Sequence, residues 1–513
     1  MISWNEIRNR AIAFSKEWEN ETREDAERQS FWNDFFNIFG IHRRTVARYE
    51  ERVSRFGKGD GFIDVFWPGM LIGEHKSAGA NLDSAFEQVG EYFDGLKEDE
   101  RPRYIIISDY RHIHLYDLEI NGGKVKYEFT LKELPEKIRL FGFIAGYEER
   151  VFKDEDPVNA KAVKKIARLY ESLDHSMYQP ELLKKLLVRL VFCFFADDSG
   201  IFPKRDILKE YFQYFTKEDG LDFGAQLGSV FQILNTPEAN RQTTVHEDLA
   251  QLPYVNGGLF AEPLPLPFFD SNMRKAVIEA MEFDWGAVSP AIFGSMFQSV
   301  MDDKARHDLG AHYTSEKNIL RVINPLFMDG LRAELKACGK NPQKLRALQD
   351  IVSRLKFLDP ACGCGNFLVV AYRELRLLEL DIISLLHIEQ IKSAQPSLSA
   401  DILNLSKLSV EQMYGIEIED FPALIAKLAL WLTDHQMNVK LGYLFGAPST
   451  RLPLISTGHI THGNALLIDW QSVIPKSGLF AIFGNPPFIG SKIMTDTQRK
   501  EVTDIFGALR GSG

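Results

Sequence analysis

Cysteine is scarce in this chain: four thiols, Cys193, Cys338, Cys362 and Cys364, among 513 residues. So few and so scattered, they exclude a disulfide framework and point to the reducing cytoplasm. Long apolar runs are missing too. A membrane-spanning helix needs about 18 or more apolar residues without charge. The most apolar stretch here, Leu186 to Ala196, carries Arg189 and lies between Lys184-Lys185 and Asp197-Asp198; it reads as a core helix. The N-terminus, Met1-Ile2-Ser3-Trp4-Asn5-Glu6, lacks a signal-peptide pattern. Positive charge is in deficit, with a net charge of −11, which argues against nucleic-acid contact over the surface as a whole.

What is present is ordinary for a globular protein of roughly three domains: 45% hydrophobic and 26% charged residues. Local charge is uneven. His42-Arg43-Arg44, Arg48, Arg52, Arg55 and Lys58 form a basic cluster, equally consistent with nucleic-acid contact and with a solvated helix face. Residues 1 to about 58 read as helical. Trp4, Ile7, Ala11 and Phe14 recur at helical spacing, and a second helix with Phe31, Trp32, Phe35, Phe36 and Phe39 ends at Gly40.

A hairpin follows: Gly61 to Trp67, a turn at Pro68-Gly69, and Met70 to Lys76. That turn places Asp64 opposite Glu74, with Lys76 on the same face two residues on. Two carboxylates packed together call for a cation between them, and two hard oxygen ligands suit Mg2+. A lysine beside them can orient a water for attack on phosphorus while the metal stabilises developing charge. The pattern Asp64-x9-Glu74-x-Lys76 resembles the PD-(D/E)xK nuclease signature, and Gln88-x3-Tyr92 resembles an accessory motif of that fold. Tyr104 to Asp109 and Ile113 to Tyr116 extend the expected αβββαβ core; surface salt bridges are the competing reading. From about 156 to 300 the pattern is mostly helical, a spacer. There Asp197-Asp198 reads as a helix cap, and His175 and His246 as structural or exposed.

The last third carries ligand-binding turns. Residues 286 to 307 read as a helix leading to Gly310-Ala311-His312-Tyr313-Thr314-Ser315, where Ser315 or Thr314 caps the next helix. A hydroxyl and free N–H groups at a helix start suit a carboxylate, such as the methionine end of S-adenosylmethionine. Leu355 to Leu358 lead as a strand into Asp359-Pro360-Ala361-Cys362-Gly363-Cys364-Gly365-Asn366-Phe367 and a helix. Gly363 and Gly365 let backbone approach a ligand, and Asp359 is placed to pair with an amine. Cys362-x-Cys364 lacks a partner pair at zinc spacing and reads as small filler. Tyr414 to Ile418 is a short strand whose Glu417 can hold ribose hydroxyls, with Ile418 against adenine. Asn464, in His462-Gly463-Asn464, supplies an amide for the adenine amino group. Leu479 to Phe483 is a strand that two prolines stop. In Gly484-Asn485-Pro486-Pro487-Phe488 the Asn485 side-chain oxygen and the Pro486 carbonyl can accept from an exocyclic amine while Phe488 stacks on the ring; a plain prolyl turn is the alternative.

Tyr313-Thr314, Asp359 to Gly365, Glu417, Asn464 and Asn485-Pro486-Pro487-Phe488, in that order, resemble a gamma-class N6-adenine DNA methyltransferase. With Asp64, Glu74 and Lys76 upstream, the whole resembles the single-chain type IIL restriction–modification enzymes. The resemblance implies an α/β multidomain protein: a PD-(D/E)xK endonuclease domain over residues 1–155, a helical connector over 156–300, and a Rossmann-like methyltransferase domain over 301–513. It implies S-adenosylmethionine-dependent methylation of adenine and Mg2+-dependent cleavage of double-stranded DNA at a distance, with self-association on DNA. Members of that family continue beyond the Asn-Pro-Pro-Phe loop into more sheet and a target-recognition domain. The methyltransferase domain is therefore expected to be partial here, with weak cofactor binding and no sequence specificity of its own. A methyltransferase with an inactive nuclease fold and a non-catalytic DNA-binding scaffold are the rival readings.

Overall fold

The computed structural model describes residues 4–19, 24–41, 47–55, 59–77, 79–93, 96, 101–118, 125–145, 157–174, 176, 178–255, 258–294, 296–297, 314–387, 402–445, 458–486 and 494–507. They form two compact units. The first is residues 1–149 with the short stretches 393–399 and 445–448; the second is the remainder.

In the first unit helices α1 (Trp4–Glu17) and α2 (Glu24–Ile38) precede a mixed sheet. Its strands are β1 (Arg48–Arg55), β2 (Gly59–Trp67), β3 (Leu71–His75), β4 (Tyr104–Ser108), β5 (His112–Asp117) and β6 (Val125–Thr130), in sequential order. β3 and β4 are parallel, joined through helix α3 (Leu82–Gly90), and the other neighbours are antiparallel. Asn81 starts α3 by accepting from the Asp83 and Ser84 N–H groups. An aromatic layer of Phe14, Trp18, Phe31, Trp32 and Phe35 is buried beneath α1 and α2, and full burial contributes roughly 1.5–3 kcal/mol per phenylalanine. Gly73 makes room for it: a Cβ there would lie 3.0 Å from the Trp32 ring. That close approach seats α2 against β3, beside the site described below.

One expectation fails here. Residues 48–55 are not the tail of a helical segment but strand β1, antiparallel to β2 with Arg48 facing Phe66 and Arg55 facing Gly59. Tyr49 and Val53 fall at the even spacing of a strand, and the Tyr49 hydroxyl donates to the Gln29 carbonyl of α2 at 2.6 Å. Arg48 and Arg52 are exposed on the strand; His42, Arg43, Arg44 and Lys58 lie outside the described residues.

The second unit begins with helices α4 (Pro157–Asp174), α5 (Pro180–Asp198), α6 (Ile207–Phe215), α7 (Phe223–Leu234) and α8 (Ser271–Met281). α5 is buried on nearly every side from Leu186 to Asp197. Arg189 survives there because Nε donates to the Leu259 carbonyl at 2.9 Å and Nη2 to the Glu262 carbonyl at 2.6 Å. Asp197 accepts from the Leu208 and Lys209 N–H groups, capping α6 from a distance, and Asp198 accepts from Trp285 N–H. Both serve the starts of other elements and neither is a solvated end, the other reading of the pair. His246 is half-buried and caps a short helix through Asp248 N–H; His175 lies outside the described residues. Residues 286–307 are not one helix. Single 3-10 turns at Trp285–Ala287 and Pro290–Ile292 come first, because Pro290 cannot continue a helical ladder from its N-terminal side.

The remaining elements are α9 (Glu316–Ile323), α10 (Asp329–Cys338), α11 (Pro342–Val352), β7 (Lys356–Asp359), α12 (Asn366–Leu386), β8 (Met413–Glu417), α13 (Asp420–Phe445), β9 (His459–His462), β10 (Leu479–Ile482) and α14 (Asp496–Phe506). The four strands are all parallel in the order β10-β7-β8-β9. The chain thus steps from β7 outward to β8 and β9, then returns to the other side of β7. That reversal leaves a crevice beyond the carboxyl ends of β7 and β10, where open α/β sheets bind ligands. α12 and α13 are locked by a buried network: Tyr372 hydroxyl to Asp434 at 2.6 Å, Arg376 to Asp434, and Arg376 Nη2 to Asn438 at 2.8 Å. No helix among the described residues is long and apolar enough to cross a membrane, and all four cysteines are free.

Candidate functional sites

The hairpin register pairs Val65 with Gly73 and Phe66 with Ile72, and so carries Asp64 to the place facing Glu74. Both are buried, 6% and 2% exposed. Lys76 Nζ donates to Glu74 Oε1 at 2.8 Å and to Gln88 Oε1 at 3.1 Å. Gln88 Nε2 in turn donates to the Tyr92 hydroxyl at 2.6 Å, and that hydroxyl donates to the Phe62 carbonyl at 3.2 Å. Asp64, Glu74, Lys76, Gln88 and Tyr92 therefore form one cluster, and the α3 residues hold the lysine in place. Burial, then the charge of Asp64, raises the Glu74 pKa, and Lys76 lowers it.

Arg28, which sequence reading missed, reaches from α2 to Asp64 Oδ1 at 2.8 Å, while His75 N–H donates to Asp64 Oδ2 at 2.7 Å. Glu74 Oε2 is buried without a hydrogen-bond partner. An orphaned carboxylate oxygen beside a second carboxylate fits a hard divalent cation such as Mg2+, which Asp64 and Glu74 would hold. Deeper, the His75 ring is wholly buried against Phe31 and Tyr110, and burial pushes its pKa down to about 3, so it is neutral packing. A separate surface group, Asp83, His114 and Glu128, is bridged by Lys126, which pairs with both acids.

In the second unit a cavity of about 490 Å³ opens at the crevice beyond β7 and β10. Thr314, Asp359, Ala361, Gly363 and Asn485 line it. Gly363 and Gly365 hold φ of 55° and 82°, left-handed values that favour glycine. A Cβ on Gly365 would lie 2.9 Å from that of Ala426, so the turn packs directly on α13. On the facing strand a Cβ on Gly484 would lie 2.3 Å from Asp359 Oδ1; only glycine brings the Asn485 loop this near the acid. Asn485 Nδ2 donates to Thr314 Oγ1 at 3.0 Å, an orientation that leaves the amide oxygen for an incoming donor. Glu316, two residues after Thr314, pairs with Arg373 of α12, Nη1 to Oε2 at 2.8 Å, and so fixes that segment.

Asp359 is 1% exposed. Burial above all, and the Glu417 charge, push its pKa up to about 7 against the pull of the Ala361 N–H. Glu417 does not line the cavity; its Oε2 accepts from Gly363 N–H at 2.7 Å and its Oε1 from Glu419 N–H at 3.0 Å. Ile418 is exposed beside it. Asn464 is close by in the sheet, since Gly463 N–H donates to the Glu417 carbonyl at 2.7 Å. Its own amide, however, accepts from Leu466 N–H and donates to Glu501 at 3.0 Å. Pro486 is exposed; Tyr313, Pro487 and Phe488 lie outside the described residues. Cys362 and Cys364 are tight filler, with Gly415 and Gly294 yielding the space, and burial raises both thiols, Cys364 to about 12. Lys184, Phe297, Phe421 and Ile425 also line the cavity. No motif flagged them: Lys184 and Phe297 are remote in sequence from the turns, and Phe421 and Ile425 read only as part of the helix that follows Ile418.

Comparison with known proteins identifies the family. Residues 9–176 match the MmeI N-terminal domain, 181–260 the MmeI helicase spacer domain, and 335–512 the MmeI DNA-methyltransferase domain. The chain is 34% identical over 498 residues to DNA methyltransferase A of Bacillus subtilis, covering 95% of this chain and 54% of that protein. It is 28% identical over 414 residues to a putative type II restriction enzyme and methyltransferase of Methanocaldococcus jannaschii, covering 69% of this chain and 34% of that protein. The structure of the type IIL restriction-modification enzyme MmeI in complex with DNA is similar at a TM-score of 0.62 and 47% identity, covering 69% of this chain and 47% of that one. The chain thus spans about half the length, or less, of the relatives it matches. With its N-terminal, spacer and methyltransferase regions all matched, the chain belongs to the MmeI family of type IIL restriction–modification enzymes.

Proposed function

We propose that the second unit binds S-adenosylmethionine and methylates adenine N6 in double-stranded DNA, and that the first unit cleaves DNA with Mg2+ at a distance from the recognised sequence. Residues 1–155, 156–300 and 301–513 are then the endonuclease, connector and methyltransferase domains of one cytoplasmic enzyme, which self-associates on DNA to cut. The observation that carries the methyltransferase reading is the meeting of Asp359 and Asn485 across one cavity at the sheet's switch point.

S-adenosylmethionine, when bound, supplies an already activated methyl group. Asp359 holds its ammonium group; Tyr313 and Thr314 receive its carboxylate; Ala361, Gly363 and Gly365 admit it close to the backbone; Glu417, Ile418 and Asn464 take the adenosine end. The target adenine enters flipped from the duplex. The Asn485 side-chain oxygen and the Pro486 carbonyl accept from its amine, aiming the nitrogen lone pair at the methyl group. Pro487 stiffens the loop and Phe488 stacks on the base. Positioning supplies most of the acceleration. In the first unit Asp64 and Glu74 hold Mg2+, which when bound polarises the phosphodiester, and Lys76 orients the attacking water.

Calorimetric titration of S-adenosylmethionine should show binding that Asp359→Ala abolishes, and labelled methyl should reach adenine N6 in duplex DNA with wild type but not with Asn485→Ala. A wild-type chain that fails to bind the cofactor would overturn the reading. Mg2+-dependent cleavage should disappear in Lys76→Ala with methylation unaffected; cleavage that persists would remove the nuclease assignment.

A further inference from the structure

The described lining of the cavity holds three charged groups: the carboxylates of Asp359 and Glu419, and the ammonium of Lys184. Lys184 comes not from the methyltransferase sheet but from α5, near the start of the spacer helix. Its ammonium lies 6.0 Å from the ring centroid of Phe421, which lines the same cavity. Its side chain is 28% exposed, and its partner, Glu181 at 2.7 Å, is 77% exposed. Such a solvent-facing pair within one helix is weak and easily exchanged for a better anion.

The position of Lys184 is set by packing. α5 lies on α13 through Phe192 against Trp431, ring centroids 5.4 Å apart, and His435 Nε2 lies 2.9 Å from the Ser199 carbonyl. α13 carries Ile425 and, at its start, Phe421 into the cavity wall. The lysine is therefore held at the cavity by a rigid helix pair rather than by a loop.

S-adenosylmethionine carries two cationic centres, sulfonium and ammonium, and one carboxylate. The lining offers two carboxylates and one ammonium. We infer that Lys184 receives the cofactor's carboxylate, joining Thr314 at the methionine end. The inference rests on the reading of this cavity as the S-adenosylmethionine site. It makes the spacer helix a wall of the cofactor site, so cofactor binding fastens spacer and sheet together.

The test is calorimetric titration of the chain and of Lys184→Met and Lys184→Arg, each with S-adenosylmethionine and with its decarboxylated analogue, which keeps both cationic centres. A lost charge-assisted contact should raise the Kd for S-adenosylmethionine about tenfold in Lys184→Met. The same variant should leave the analogue's Kd unchanged, and Lys184→Arg should stay close to wild type. Equal weakening of both ligands would mean a packing defect, and no change in either would mean the lysine faces no carboxylate; each overturns the assignment. Weakened duplex DNA binding with both cofactor affinities intact would give the lysine to a phosphate and overturn it as well. Wild type that binds neither ligand would sink the cofactor site itself, a result distinct from these.

Discussion

Lowering the pH from 7.5 to 6.0 should weaken S-adenosylmethionine binding about fivefold, and Asp359 should be the cause. Its pKa in the free protein is pushed up to about 7 by burial and by the neighbouring charge of Glu417. The cofactor's ammonium group pairs only with the ionised form, so each binding event below that pKa must first expel a proton. The ionised fraction falls from about three-quarters at pH 7.5 to about one-tenth at pH 6.0, a penalty of roughly 1.2 kcal/mol. Over the same window an α-amino group of ordinary pKa about 7.7 goes from about three-fifths to almost fully protonated, which offsets part of that loss and leaves about fivefold. The sign for stability is opposite. A carboxyl whose folded pKa exceeds its unfolded one favours the fold at low pH, and that contribution is lost as pH rises through about 7. Calorimetry across this range, in buffers of differing ionisation enthalpy, measures both the affinity and the proton released. Asp359→Asn should bind more weakly at pH 7.5 and lose the fall in affinity on acidification. A wild-type affinity that is flat from 6.0 to 7.5, or a slope that survives in Asp359→Asn, would refute the reasoning.

Three further outcomes are expected. Thr314→Val removes the acceptor that orients the Asn485 amide and should lower kcat for methyl transfer about tenfold or more, with Thr314→Ser restoring it; single-turnover kinetics decides, and an unchanged rate would show that the amide needs no such hold. Gly484→Ala places a methyl group against Asp359, so it should weaken cofactor binding as well as transfer; normal affinity by titration would show that the loop moves aside at little cost. Arg28→Ala removes one positive charge from beside Asp64 and should tighten Mn2+ binding in the first unit severalfold, as read by the spin resonance of the free ion; weaker binding would assign the arginine to holding the acid in place.

The parts legible in the sequence are those whose geometry is local. A Pro-Gly turn pins a hairpin register, so Asp64, Glu74 and Lys76 could be brought together on paper, and one helix spacing later Gln88 with Tyr92. A strand, a glycine turn and a helix fix Asp359 relative to Gly363 in the same way. Contacts made by topology were not legible. Arg28 reaches Asp64 only because Gly73 lets α2 lie close to the sheet. Lys184 and Phe421 reach the cavity only because α5 packs along α13. β1 was misread because its basic residues fit a solvated helix as well as a sheet edge, and its Tyr49 and Val53 are too few to show the strand period. Asn464 was placed near the right strand ends, but its partner Glu501 belongs to a helix nothing in the local pattern joins to it.

The two N–H groups on Glu417 bear on how the nucleoside end is received. A carboxylate has about four lone-pair directions, and Gly363 and Glu419 use one on each oxygen. Those bonds brace the glycine turn, and on the reading proposed above two ribose hydroxyls would dock without breaking either. A receptor already in shape loses little conformational freedom on binding, so on that reading the adenosine moiety should associate quickly.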